Sequence, residues 1–391
     1  MTAKGERRLG PEDLAVLTAL RRDLHRRPEL AGLEERTSAT IADALGQAGA
    51  DLVVRGLGGH GLLGLFRGEA PGARVLVRCE LDALPISEQI EIDHGSEVDG
   101  VAHKCGHDGH MAMVMGAALM LGRRRPTRGE IVLMFQPAEE TGEGALAVIG
   151  DSAFASFEPD SALAVHNLPG FPLGCVVLRP GPFASASKGV VIALEGATAH
   201  ASEPNRGRSP TAAVAALLTE LEALPQRTTS LHEAAQVTVI HARLGERAFG
   251  TAPGTATVLA TLRAHEQALA EELAARCSRL AMAVAAAHGL RCQVSFSEEF
   301  PATWNDHGVV ATISRVADEL GLERVFPAQP FPWSEDFGHI ASRWPGALFG
   351  LGSGAEHPAL HSPGYDFPDD LIGVGASILC RTALLLAKQD L

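Results

Sequence analysis

Four short runs of almost wholly apolar residues constrain this chain more than any other feature: "HGLLGLFRG", "ARVLVRCELD", "EIVLMFQPAEE" and "SALAVHNL". Successive side chains on a strand point to opposite faces, so a run apolar at consecutive positions must be covered on both sides. The strongly apolar helical segment "GHMAMVMGAALMLGRRR" lies between the second and third runs, and its basic end suits the helix dipole. Strands alternating with helices predict an α/β fold with a mainly parallel sheet and helices on both faces. Two amphipathic helical segments precede the strands: "PEDLAVLTALRRDLHRR", and "TSATIADALGQAGA" with Thr37 or Ser38 as its cap.

The pattern changes near residue 186. From there "KGVVIALEG", "SPTAAVAALLTELEAL", "QVTVIHARLG", "GTATVLATLRA", "EQALAEELAARCSRLAMAVAAAHG" and "RCQVSFSEEF" read as strand, helix, strand, strand, helix, strand, the ferredoxin-like βαββαβ order. After "FPATWND" the first pattern resumes with "GVVATISRVADELG", "ALFGLGSG" and "DLIGVGASILCRTALLLAKQ". A chain of 391 residues exceeds what one core usually organises. The expected organisation is therefore a discontinuous α/β domain, 1–186 and 299–391, interrupted by a small inserted domain, 187–298.

The formal charge of −14, from 33 basic and 47 acidic residues, repels phosphate backbones and anionic lipid, which argues against nucleic-acid and membrane partners. The opening "MTAKGERRLG" is polar and lacks the apolar run of a signal peptide, so the expectation is a soluble cytoplasmic protein. The six scattered cysteines do not resemble a secreted disulfide framework.

The segment "HKCGHDGH", 103–110, focuses the chemistry. Ionisable residues also recur at the carboxyl ends of the apolar runs: Asp82 after "VLVRCEL", Glu139 and Glu140 after "IVLMFQPA", and His166 after "ALAV". Open α/β sheets bind ligands at that edge. His361 can reach it through the loop "SGAEHPALHSP". Cys105, His107, Glu140, His166 and His361 then offer sulfur, nitrogen and oxygen donors, a set suited to zinc, manganese, nickel or cobalt and too soft for magnesium or calcium. Five ligands exceed the needs of one structural zinc and suit two ions about 3.5–4 Å apart. Such a pair lowers the pKa of bound water from about 15.7 to about 7, worth roughly 12 kcal/mol. Beyond a strand's end the chain can turn so that both members of "EE" approach the ions, Glu140 as ligand and Glu139 as the base that carries the proton. Asp82 could orient a ligand histidine.

Taken one at a time these signals are weak, and their shared position carries the reading. His25, His60, His94, His103, His110 and His339 read as structural histidines, with Asp108 and His110 equally readable as supports for the ligands. His200, in "GATAHASEP", reads as a surface residue unless the inserted domain or a second copy brings it to the crevice, where it could hydrogen-bond a developing oxyanion.

"RCELDALPISE", "HKCGHDGHMAM", "FQPAEETGEGA", "AVHNLPG", "HASEP", "SEDFGHI" and "ALHSPGYDF" together resemble the motifs of the metal-dependent amidohydrolases and metallopeptidases of the carboxypeptidase G and aminoacylase superfamily, in the branch of hippurate hydrolase and auxin-conjugate hydrolases. The motifs run in order over nearly the whole chain. The resemblance implies two divalent ions per subunit, held by Cys105, His107, Glu140, His166 and His361, with Glu139 as general base. It also implies an inserted lid that mediates a homodimer, His200 reaching a neighbour's site, and small N-acyl amino acids or related amides as substrates. Three positions depart from the family pattern. Gly250-Thr251-Ala252-Pro253 replaces the usual Asn-Val-Ile-Pro, leaving Arg263 or another group to hold a substrate carboxylate; Lys104 stands where a small residue is common, and Glu80 where aspartate is common. The leading expectation is amide hydrolysis of N-acyl amino acids. A dipeptidase, an N-carbamoyl amino acid hydrolase and a non-catalytic metal-dependent binding protein are the alternatives.

Overall fold

The computed structural model describes residues 9–388, so most of the polar opening segment and Gln389 of the closing helical segment lie outside the described residues. Two compact units emerge: one takes the chain up to Phe183, Thr303–Gln329 and the chain from Asp336 onward, and the other takes Ala184–Ala302 and Pro330–Glu335.

In the first unit the apolar runs become β2 (Gly61–Arg67), β3 (Arg74–Glu80), β4 (Glu130–Gln136) and β5 (Ser161–Pro169), preceded by β1 (Leu52–Leu57). They lie in the order β1-β2-β4-β3-β5, continued by Gly346–Gly354, Val176–Val177 and Arg324–Val325. From β4 through β3 and β5 to Gly346–Gly354 every pairing is parallel, while β1 and β2 join antiparallel at the flank. The parallel centre agrees with the expected mixed α/β class. The sequence reading missed β1, whose "LVVRGL" carries an arginine and a glycine and is largely open to solvent at the sheet edge.

Helices α1 (Pro11–Arg26), α2 (Glu35–Gln47) and α3 (His107–Arg123) form part of the same unit. Leu17 and Leu24 of α1, Ile41 and Leu45 of α2, and Met111, Val114 and Leu121 of α3 share one buried cluster with Val75, Val77, Leu133 and Phe135 of the sheet. The closing helix Leu371–Leu386 contributes Ile372 and Leu379. Each such side chain stabilises the fold by roughly 1.5–3 kcal/mol relative to its exposed state. Because α3 packs against β3, α1 and the closing helix, nearly all of it is buried, which explains the apolar run without a polar stripe. Arg123 in its last turn pairs with Asp13 at 2.7 Å.

The expected cap of α2 is corrected. The helix begins at Glu35, so Thr37 and Ser38 lie inside it. Glu29 takes the capping role from outside: its Oε2 accepts both the Thr37 N–H at 2.7 Å and the Thr37 hydroxyl at 2.8 Å. A free first-turn N–H can be satisfied by a distant acceptor as well as by a local cap.

The second unit holds an antiparallel sheet in the order Ala235–Leu244, Thr255–Ala264, Ala186–Glu195, Arg291–Phe300. Strand Thr255–Ala264 alternates buried with partly exposed residues, the signature of one covered face. Val190, Ile192, Val258 and Leu262 from the sheet pack with Leu217 and Leu221 of helix Thr211–Glu222 and Leu273 and Cys277 of helix Gln267–Ala287. Among the described residues, no helix is long and apolar enough to cross a membrane.

Candidate metal centre

Parallel pairing brings the carboxyl ends of β3, β4 and β5 to one edge of the sheet. Asp82 lies two residues beyond β3, and Glu139 and Glu140 lie just beyond β4. His166 sits within β5, which continues to Pro169, in keeping with the strand run "SALAVHNL". His107 is the first residue of α3, which starts two residues before the apolar segment "GHMAMVMGAALMLGRRR". Gly106 before it has φ +93°, and a Cβ there would lie 2.5 Å from Asn167 Oδ1, so glycine alone fits this turn.

Two left-handed residues complete the arrangement. Ala138, at φ +51°, turns the chain between β4 and the glutamate pair, and His361 has φ +61°. Glu34 holds the first turn, its buried Oε1 accepting the Ala138 N–H at 2.8 Å. The second is tied to the neighbouring loop, where the His361 N–H donates to the Lys104 carbonyl at 2.8 Å.

These supports bring all five candidate ligands and Glu139 together. Cys105 Sγ lies 3.5 Å from His166 Nε2. His107 Nε2 is 3.9 Å from both Glu139 Oε2 and Glu140 Oε1, and His361 Nε2 is 3.7 Å from Glu140 Oε1. Ligand atoms of Cys105, His107 and His166 form one group within 4.8 Å of one another, and those of Cys105, Glu140 and His361 form a second that shares the cysteine.

Hydrogen bonds fix which nitrogen of each histidine faces the centre. His107 Nδ1 donates to the Asp82 carbonyl at 2.8 Å, and His166 Nδ1 donates to the Asn167 carbonyl at 2.8 Å. A carbonyl can only accept, so Nδ1 carries a proton in each ring and Nε2 is the nitrogen turned towards the centre, the one that would bind a metal. His107 Nε2 is buried and has no hydrogen-bond partner among the described residues. Asp82 orients His107 chiefly through its main chain; its carboxylate Oδ1 stands 3.5 Å from Nδ1, while Oδ2 accepts the Glu140 N–H at 3.0 Å.

The electrostatics agree with a cation site. Burial pushes the His107 pKa down, but Asp82, Glu80 and Glu140 outweigh burial and carry it up to about 10, so the local field favours positive charge at this ring. Burial, with His110 nearby, holds His166 down at about 3, and burial also lowers His361, so both remain neutral donors. An orphaned imidazole nitrogen among thiol, carboxylate and imidazole groups fits a borderline-soft divalent ion.

The sequence left His110 and Asp108 equally readable as structural residues or as supports for the ligands, and the structure separates them. His110 packs its ring 4.8 Å from that of His166, with Nδ1 at 2.6 Å from Glu80 and Nε2 at 2.5 Å from Asn167. Asp108 turns elsewhere, to Arg21 and His25, each at 2.8 Å. His103 is buried, neither of its nitrogens is hydrogen-bonded among the described residues, and burial pushes its pKa down to about 3.

In the second unit His200 is exposed and lies opposite Thr251 in a short two-stranded ribbon, beside the "GTAP" segment. Its Nδ1 accepts the Ser202 N–H at 3.2 Å, which leaves the Nε2–H as a donor. Arg263 is half-buried; it donates to the Pro332 carbonyl at 3.2 Å and to Ser334 Oγ at 3.0 Å, and among the described residues it has no carboxylate partner.

The chain belongs to peptidase family M20/M25/M40, whose model matches residues 76–385. It is 30% identical to an N-acetyl-L-cysteine deacetylase of Bacillus subtilis, over 96% of this chain and 89% of that protein. It is 31% identical to IAA-amino acid hydrolase ILR1-like 2 of Arabidopsis thaliana, over 97% of this chain and 87% of the relative. Among solved structures, the Bacillus subtilis YXEP protein, described as a dinuclear metal binding peptidase of the M20 family, aligns with a TM-score of 0.83 at 25% identity, covering 97% of this chain and 100% of that one.

Proposed function

We propose that this protein is a metal-dependent amidohydrolase that cleaves the amide bond of small N-acyl amino acids, in the branch of the family that includes the auxin-conjugate hydrolases. The single observation that carries the reading is the convergence of Cys105, His107, Glu140, His166 and His361 around a buried histidine nitrogen with no hydrogen-bond partner. These five residues hold two divalent ions, which when bound polarise the substrate carbonyl and acidify water.

The chain's own residues perform the remaining tasks. Glu139 is the carboxylate beside the ligands that serves as base: it takes a proton from the attacking water and delivers it to the leaving amine, a role typically worth about 10² to 10⁴ in rate. Its Oε1 is steadied by the Asp336 N–H at 3.4 Å. His200 of one protomer donates its Nε2–H to the oxyanion that develops in its partner's site. Arg263, which has no carboxylate partner among the described residues, offers a charged fork to the substrate's carboxylate, in place of the side-chain amide that Gly250 cannot supply. The inserted segment, 187–298, acts as the lid and dimerisation domain of a homodimer.

The test is release of free amine from a panel of N-acyl, dipeptide and N-carbamoyl substrates, with manganese or zinc added. The expected result is metal-dependent turnover of N-acyl amino acids, with kcat lowered at least about 100-fold in Glu139→Gln while metal content is kept. Near-normal turnover by Glu139→Gln, or release only from dipeptides or carbamoyl compounds, would contradict this reading.

A further inference from the structure

Behind the candidate centre lies a buried ionic chain to which the reaction assigns no role. Arg78 and Asp336 form an ion pair with no solvent exposure on either side chain. Arg78 Nε also donates to Gln136 Oε1 at 2.7 Å, and its Nη1 pairs with the equally buried Glu80. Glu80 Oε2 meets His110 Nδ1 at 2.6 Å, His110 Nε2 meets Asn167 Oδ1 at 2.5 Å, and Asn167 Nδ2 donates to the Tyr365 hydroxyl at 2.5 Å.

The two ends of this chain decide its role. At one end the Asp336 carboxylate is fixed by Arg78, by Gln136 Nε2 at 2.6 Å and by the Ala145 N–H at 2.9 Å, while the Asp336 N–H reaches Glu139 Oε1. At the other end the Asn167 carbonyl accepts the His166 Nδ1–H. One continuous set of buried hydrogen bonds therefore touches both the candidate base and a candidate ligand. Buried charges are costly unless fully paired, so such a chain has few alternative arrangements and transmits position.

We propose that Arg78 and Asp336 are positioning residues that hold Glu139 at a fixed distance from His166 through Gln136, Glu80, His110 and Asn167. The inference rests on the reading of Glu139 as the base. Neither residue touches substrate; each acts through the backbone or side chain of a neighbour.

The experiment uses the full chain loaded with manganese and compares Asp336→Asn, which keeps shape but removes charge, with Gln136→Met, which cuts two links and leaves no charge unpaired. Both should retain two metal ions and show KM within about threefold of wild type, with kcat reduced about 30-fold in Asp336→Asn and about fivefold in Gln136→Met. A kcat within twofold of wild type in a folded, metal-loaded Gln136→Met protein would overturn the proposal, even should Asp336→Asn fail to fold. A second readout does not need turnover: in the cobalt(II)-loaded protein, Gln136→Met and His110→Asn should both shift the visible ligand-field bands, although neither residue is a proposed ligand. Unchanged bands in both variants would overturn the chain whether or not the wild type hydrolyses an N-acyl amino acid. A wild type that is inactive on every amide but shows the band shifts would instead contradict the proposed function alone.

Discussion

Glu88 shows how single residues stiffen the loop that carries Cys105. Burial pushes its carboxyl up, but hydrogen bonds from His25 and Lys104 and from the Ser96 N–H outweigh burial and hold its pKa at about 2. A folded-state pKa below the unfolded value of about 4.5 contributes stability that is complete above about pH 4.5 and is lost as pH falls towards about 2. His25 has the opposite sign: burial lowers it, Asp108 and Glu88 raise it further, and its contribution is present below the ordinary histidine pKa of about 6.5 and lost as pH rises through the raised value. The expected result is that the melting temperature of wild type exceeds that of Glu88→Gln at about pH 6, and that the gap narrows steadily below about pH 4.5. A gap that stays constant down to about pH 3 would contradict this role. Lys104, the residue that departs from the family pattern, has a role in the same place: its buried ammonium joins Glu88 to the Tyr365 carbonyl at 2.7 Å.

At the scale of elements, the turn after β4 decides whether both glutamates face the centre. A non-glycine residue in the left-handed region costs on the order of 1–3 kcal/mol, so Ala138 needs an external tether, and Glu34 supplies it. Glu34→Ala is expected to lower kcat about tenfold, and Ala138→Gly in the same background to recover much of that loss, because glycine takes positive φ without penalty. Steady-state kinetics of the two variants checks this; unchanged kcat in Glu34→Ala would contradict it. The turn also marks where sequence reading stops. The doublet after "IVLMFQPA" indicated which residues leave the strand end, since an apolar run followed by carboxylates is a local signal. The tether could not be read, because Glu34 lies 104 positions from Ala138. Thr37 misled for the same reason: its hydroxyl is a good local cap, but Glu29 satisfies that turn from another segment. Arg78 and Glu80 gave no sign of their partners, since charged residues in an apolar strand become intelligible only once Asp336 and His110 are seen beside them. His166 lies within the strand that its apolar run marks, whereas the helix that holds His107 starts two residues before its apolar pattern.

At the scale of the whole molecule, one edge of one sheet gathers the candidate chemistry. Three parallel strands, the start of α3 and a distant loop bring a thiol, three imidazoles and two carboxylates together, with the histidine tautomers set by main-chain carbonyls. Metal binding at such a site adds to folding stability, because the unfolded chain does not hold the ligands together. The most direct measurement is anomalous diffraction from crystals of the protein loaded with zinc or manganese. Two peaks about 3.5–4 Å apart are expected, within bonding distance of Cys105, His107, Glu140, His166 and His361, with Glu139 beside them but not ligating. A single peak, or ions bound away from these five residues, would contradict this expectation.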